Sequence, residues 1–258
     1  MHLDVRDLSA FYYRTNLGRT AQRALQGAVR KMWPDCHGLT VVGFGFATPM
    51  LRPYLAESER VMALMPGQQG VLHWPRDEDN VCALVEETRW PIEASSVDRL
   101  LVAHGLETCD SPDALLAEIW RVLAPNGRAI FVVPNRSGIW ARRDATPFGV
   151  GRPYSAGQLD SILRKQRFVP EGHVAALYAP PSHRRFWLQA SRVLERMGRR
   201  FNPQFLAGAL LVEASKQVYA RPPETGSKVS VPSPLEVLEG LAGPKPEHAA
   251  RRESRPRK

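Results

Sequence analysis

The feature that most constrains this chain is an alternation of short apolar runs with helix-period segments between residues 39 and 178. Residues 39–42, 60–65 (RVMALM), 81–85 (VCALV), 98–103 (DRLLVA) and 129–133 (AIFVV) have the length of strands. The last is continuously apolar, as a strand covered on both faces must be. Residues 111–123, SPDALLAEIWRVL, read as a helix: Pro112 takes its first position, and Leu115, Leu116, Ile119, Val122 and Leu123 share a face. Pro125-Asn126-Gly127 ends it in a turn. A helix capped by Ser155 is expected over 154–167, another should start near Pro49, and 173–178 and 209–219 read as two later strands. Parallel neighbours need crossovers, so this order predicts an α/β fold with a doubly wound, mostly parallel sheet.

Around that core the chain divides into three. Residues 1–35 form an N-terminal helical segment, in which Leu17, Ala21, Leu25 and Val29 recur at helical spacing. Residues 36–220 hold the sheet, with a helical insertion at about 180–205. Residues 221–258 are rich in Pro, Gly, Ser and charge, and are expected to be a disordered basic tail. The net charge of +9 gathers in the tail and at Arg184, Arg185, Arg192, Arg196, Arg199 and Arg200. Such a surface can neutralise phosphates, though solubility accounts for it equally well. The insertion is expected to lay its apolar side on the sheet and its arginines in water. No apolar run reaches the ~18 residues of a membrane span. The first residues hold no secretory-type apolar stretch. Cys36, Cys82 and Cys109 are widely spaced and form no zinc pattern, which predicts a reduced, cytoplasmic setting and no metal.

Two stretches speak to function. VVGFGFATP, residues 41–49, is a strand running into a glycine turn. By itself Gly-x-Gly is a weak signal. Residues 90–135 carry more: Trp90-Pro91, then Asp98 opening a strand, His104 at its end, Arg121-Val122-Leu123 closing a helix, Pro125-Asn126-Gly127, and a further strand. In series these resemble the class I S-adenosylmethionine-dependent methyltransferases, most of all the group holding ubiquinone and small-molecule methylases. The resemblance spans roughly residues 36–178 and, more weakly, the last two strands. It implies a Rossmann-like methyltransferase fold with an antiparallel last strand, and S-adenosyl-L-methionine as cofactor. It places Gly43, Gly45 and Ala47 at the turn beside the cofactor's methionine part, Glu86 (or Glu87) at the adenine amino group, and His104 on the pocket wall. Two departures stand out. Val41 replaces an acid before the turn, and Leu64-Met65-Pro66 lacks the carboxylate that grips the ribose. Charged hydrogen bonds of that kind contribute on the order of 1.5–3 kcal/mol each. Gln68, Gln69 and His73 are the nearest substitutes. The alternative is a non-catalytic scaffold of the same fold that binds a protein or RNA. A dinucleotide oxidoreductase is disfavoured by the missing third glycine and the missing acid.

Ligands of doubly wound sheets sit beyond the carboxyl ends of the strands. The 132–155 loop is therefore expected to meet the substrate, with Asn135, Trp140, Arg143 and Tyr154 as binding residues for an anionic or aromatic small molecule, ahead of nucleic acid. The opposing expectation is a structural loop with Trp140 in the core. His73 reads as polar surface, and Tyr12-Tyr13 as a lid or as packing for the terminal helix. No catalytic residue is assigned: methyl transfer from an activated sulfonium needs alignment and dryness more than an acid or base.

Overall fold

The structure, a computed structural model, describes residues 3–143, 146–201 and 204–217. The expected basic tail lies outside the described residues. Residues Met1–Val218 form one compact unit. Its seven strands are β1 (Thr40–Gly45), β2 (Arg60–Pro66), β3 (Cys82–Val85), β4 (Val97–Ala103), β5 (Leu123–Pro134), β6 (Phe168–Ala176) and β7 (Ala209–Lys216). They make a single sheet in the order β3-β2-β1-β4-β5-β7-β6. β1 to β5 run parallel to one another, and β7 runs antiparallel to both β5 and β6. The mostly parallel sheet with an antiparallel last strand is thus as expected.

Pleating sends alternate side chains to opposite faces. Val41, Leu101 and Ile130 join Leu25 and Val29 on one face. Val42, Leu100 and Phe131 join Leu115, Ile119, Leu159 and Leu163 on the other. The first face is covered by α1 (Val5–Ser9), a π-helical turn (Ala10–Arg14) and α2 (Asn16–Met32). All four apolar residues expected on the inner side of α2 are buried. Thr15 caps α2 by accepting from the Gly18 amide at 2.9 Å. The end of α2 is pinned to the sheet by the Trp33 indole, which donates to Glu213 of β7 at 2.8 Å.

On the opposite face lie α4 (Pro112–Val122) and α5 (Ala156–Lys165). Ser155 and Gln158 form the full capping box of α5, as the sequence indicates. Ser111 precedes α4 but makes no side-chain cap bond. The 90–135 motif is largely a clamp. Arg121 donates to the carbonyls of Trp90 and Ile92 and pairs with Glu118, while Glu118 accepts the Trp90 amide at 2.7 Å. Asp98 accepts the Thr40 amide and so ties the start of β4 to the start of β1.

The helix expected from Pro49 is cut to one turn, α3 (Thr48–Leu51), followed by a 3-10 turn at Arg52–Tyr54. Pro53 lacks the N–H that would return to Pro49. The orphaned Pro49 carbonyl accepts from Gln22 of α2 instead, at 3.3 Å.

The turn before α3 is tightly packed. A Cβ on Gly43 would lie 2.5 Å from Leu51 Cδ1, and one on Gly45 would lie 2.3 Å from the Ala103 carbonyl oxygen. Gly45 also has φ +76°, where a side chain is strained. Gly45→Ala is expected to lose about 3 kcal/mol of stability through this strain and overpacking, read as a lower urea midpoint. An unchanged midpoint would contradict the close approach.

All three cysteines are free and buried. Burial raises the thiols of Cys36 and Cys82 to about 11 each. Burial and the neighbouring Glu87 carboxylate raise Cys109 to about 12. The thiolate is the reactive form, so at pH 8 the native protein should react slowly with Ellman's reagent, and all three thiols promptly in denaturant. A fast native thiol would count against this packing.

Candidate functional site

The strand order reverses between β1 and β4, and the crevice beyond their carboxyl ends is where a doubly wound sheet holds its ligand. Here the chain closes that crevice with its own side chains. The Phe46 amide donates to Ala103 O at 2.7 Å and draws the glycine turn onto β4. Tyr12, from the π-helical turn, stacks on Phe46 with centroids 5.8 Å apart. Its hydroxyl lies 2.7 Å from His104 Nε2, and His104 Nδ1 lies 3.1 Å from Glu107 Oε1. With Nδ1–H given to the carboxylate, Nε2 accepts from the Tyr12 hydroxyl. Phe148 meets the His104 ring edge-on, and Trp140 meets Phe148. All six side chains are buried. Burial first, and the Glu107 charge second, raise the Tyr12 phenol well above its ordinary range, so it stays protonated.

His104 has φ +51°, in the left-handed region, and its carbonyl accepts from Gln69 Nε2 at 2.9 Å. Two buried oxygens beside it, Gln69 Oε1 and Glu107 Oε2, have no hydrogen-bond partner among the described residues. Leaving such an atom unpaired costs about 1–3 kcal/mol.

Three cavities flank the closed crevice. The first, about 700 Å³, opens at the carboxyl ends of β2 and β3 and is lined by Gly67, Gln68, Glu86, Glu87 and Asp110 among others. That volume suits a small-molecule ligand. Glu87 accepts the Asp110 amide at 3.3 Å, which commits it to the loop. Glu86 is exposed to the cavity and makes no hydrogen bond through its side chain among the described residues. The second, about 440 Å³, is basic and aromatic, with Tyr13, Arg14, Arg52, His73 and Trp74 in its wall. The third, about 600 Å³, holds Arg136, Arg152, Tyr154 and Gln158.

The expected site residues fall into distinct places. Gly43, Gly45 and Ala47 stand at the turn, but their bareness is consumed by Leu51, by each other and by Ala103, rather than left as an open floor. Glu86 lines the first cavity and His104 the closed crevice. Val41 is buried within the sheet, and β2 ends without a carboxylate. The first polar side chains beyond β2 are Gln68, in the cavity, and Gln69, behind it. His73 is exposed and lines the basic cavity instead.

The 132–155 loop is at the carboxyl edge as expected, yet much of it faces inward. Asn135 Nδ2 donates to Ala207 O at 2.7 Å, Trp140 Nε1 to Ala179 O at 2.8 Å, and Arg143 Nη1 to Pro181 O at 3.1 Å. These bonds brace the loop against the segments flanking β6 and β7; Tyr154 lines the third cavity. Sequence reasoning missed Gln69 as a buried partner of His104, and Glu107. The latter was visible as His-x-x-Glu just past a strand.

Residues 39–131 match the family model described as a methyltransferase domain. No curated protein matches. Among solved structures, an S-adenosylmethionine-dependent methyltransferase of Thermotoga maritima is 17% identical, covering 78% of this chain and 91% of its own, with a TM-score of 0.56. A complex of the Haloferax volcanii Trm112 methyltransferase activator with a methyltransferase gives 17% identity, 84% and 100% coverage, and a TM-score of 0.59. Geranyl diphosphate C-methyltransferase of Streptomyces coelicolor A3(2), bound to geranyl diphosphate and S-adenosyl-L-homocysteine, gives 14%, 74% and 76%, and 0.51. The chain has the class I S-adenosylmethionine-dependent methyltransferase fold. Its residues 39–131 are the part that carries the methyltransferase-domain signature.

Tyr12→Phe removes the hydroxyl and leaves His104 Nε2 buried without a partner, at an expected loss of roughly 1–3 kcal/mol in denaturant unfolding. Wild-type stability in that variant would mean that the Tyr12–His104 bond is not made in solution.

Proposed function

We propose that this chain binds S-adenosyl-L-methionine along the carboxyl edge of β1 to β4 and methylates a small, anionic or aromatic acceptor. The observation that carries the reading is the 700 Å³ cavity beside the β1/β4 switch point, with Glu86 uncommitted on its wall. Glu86 would accept from the adenine amino group. Gln68 would accept from the ribose hydroxyls in place of the absent carboxylate. An amide oxygen is a neutral acceptor, about half as strong as a charged one, so a weaker grip follows. Gly43, Gly45 and Ala47 form the turn beside the methionine part, and His104 the wall. When bound, the cofactor supplies an already activated methyl group. The chain's own work is to orient the acceptor and exclude water.

Tyr12 and Phe46 cover the methionine end, so the N-terminal segment must move aside for a ligand to enter fully, with the Tyr12–His104 bond as its latch. Tyr154, Arg136 and Arg152 are the proposed acceptor contacts in the 600 Å³ cavity, and Asn135, Trp140 and Arg143 hold their loop in shape. No helix of the described residues is long and apolar enough to cross a membrane, and the three unpaired thiols fit a reducing compartment such as the cytoplasm.

The closed crevice favours one second reading, a non-catalytic scaffold that keeps the fold and binds a protein or RNA. The two separate in calorimetry with S-adenosyl-L-homocysteine. The methyltransferase reading expects binding by the wild type, a loss of about tenfold in Glu86→Gln, and tighter binding in Tyr12→Ala, where the latch is gone. If neither wild type nor Tyr12→Ala binds at millimolar ligand, the scaffold reading stands.

A further inference from the structure

The helix joining β6 to β7, α6 (Arg185–Phe201), is arranged contrary to expectation. Its side toward the body packs one large apolar residue, Leu188, on the core and is otherwise small and polar. Ser191, Glu195 and Gly198 are buried, and the Tyr178 ring presses on Gly198 so closely that a Cβ there would lie 2.2 Å from it. Glu195 Oε1 accepts the Tyr178 amide at 2.7 Å. Most of the other large apolar residues point the other way. Phe186, Val193 and Met197 are each more than half exposed, and their spacing of seven and four puts them in one stripe. Phe205 and Leu206, just beyond the helix, are also more than half exposed, and Trp187 lies against Phe186. Of the ten exposed large apolar side chains among the described residues, six fall between 186 and 206. A concentration of that kind marks an interaction surface.

Charge identifies the partner. Arg184, Arg185 and Arg196 are exposed around the stripe. The only acid in residues 172–212 is Glu195, and it is buried. The outward surface therefore offers apolar and cationic groups and no anion. We propose that α6 docks on an anionic lipid surface, with Phe186, Val193 and Met197 entering the acyl boundary and the arginines meeting lipid phosphates. A nucleic acid would match the charge but would leave Val193 and Met197 in water. β6 ends and β7 begins at the carboxyl edge of the sheet, so α6 starts and finishes on the same edge as the candidate site. Docking would bring that edge to the membrane. The inference does not depend on cofactor binding.

Vesicle flotation of the full-length chain tests it. Wild type should float with phosphatidylglycerol-containing vesicles and remain behind with pure phosphatidylcholine. Phe186→Ser with Met197→Ser should lower the partition at least tenfold, as should Arg185→Gln with Arg196→Gln. These positions are exposed, and an unchanged circular dichroism spectrum and melting temperature would verify folding. Retained binding in the Phe186→Ser, Met197→Ser variant would assign attraction to charge elsewhere and overturn the proposal. So would an absence of vesicle binding alongside either RNA binding or self-association that the same variant abolishes.

Discussion

Much of this molecule follows from one close approach: the glycine turn after β1 lies directly on the last carbonyl of β4. Gly45 leaves the space for Ala103 O, and the Phe46 amide bonds to it. A side chain at residue 45 would separate the two strand ends. Because they meet, His104 is turned into a left-handed conformation, its imidazole aimed at the crevice and its carbonyl at Gln69. The switch point of the sheet thus becomes a place where a histidine, a glutamate and a glutamine amide converge. Two of their oxygens have no hydrogen-bond partner among the described residues.

The N-terminal segment completes this arrangement from outside the sheet. Tyr12 contributes the hydroxyl that His104 Nε2 accepts and a ring that shelters Phe46. It is held there by α2, whose far end is fixed by Trp33 on Glu213 and by the paired contacts of Arg30 with Glu57. The same fold therefore anchors one end of the segment and lays its other end over the closed crevice. Such a cover is consistent with a site that opens to bind and closes to exclude water. On either side of it the cavities differ in sign, acidic near Glu86 and basic near Arg14 and Arg52.

The strands were readable because buried parallel strands are continuously apolar, and short apolar runs between turn residues have few other uses. α2 and α5 were readable for local reasons, a period of 3.6 and a capping box. α3 was overestimated. Pro49 opens a helix well, but Pro53 denies it a second turn, and the rescue of the Pro49 carbonyl comes from Gln22, a residue distant in sequence. Glu86 and His104 were named by resemblance; one lines the first cavity and the other is buried in the closed crevice. Asn135 and Trp140 were named as substrate contacts, but they turn inward to the carbonyls of Ala207 and Ala179. An indole or an amide in a loop looks the same in sequence whether it meets a ligand or a carbonyl.

By itself the sequence determined the layered α/β architecture, the order of its strands along the chain and the types of residue gathered at its carboxyl edge. Those depend on local periodicity and on turn chemistry, which neighbouring residues settle among themselves. Only the tertiary structure decided that Tyr12 reaches His104 across 92 positions, that the glycines serve packing, and that α6 turns Phe186, Val193 and Met197 outward. Each of these depends on which surfaces compete for the same volume. A helix whose inner side must fit Tyr178 and a glycine has no room there for Phe186 or Met197, whatever its hydrophobic pattern prefers.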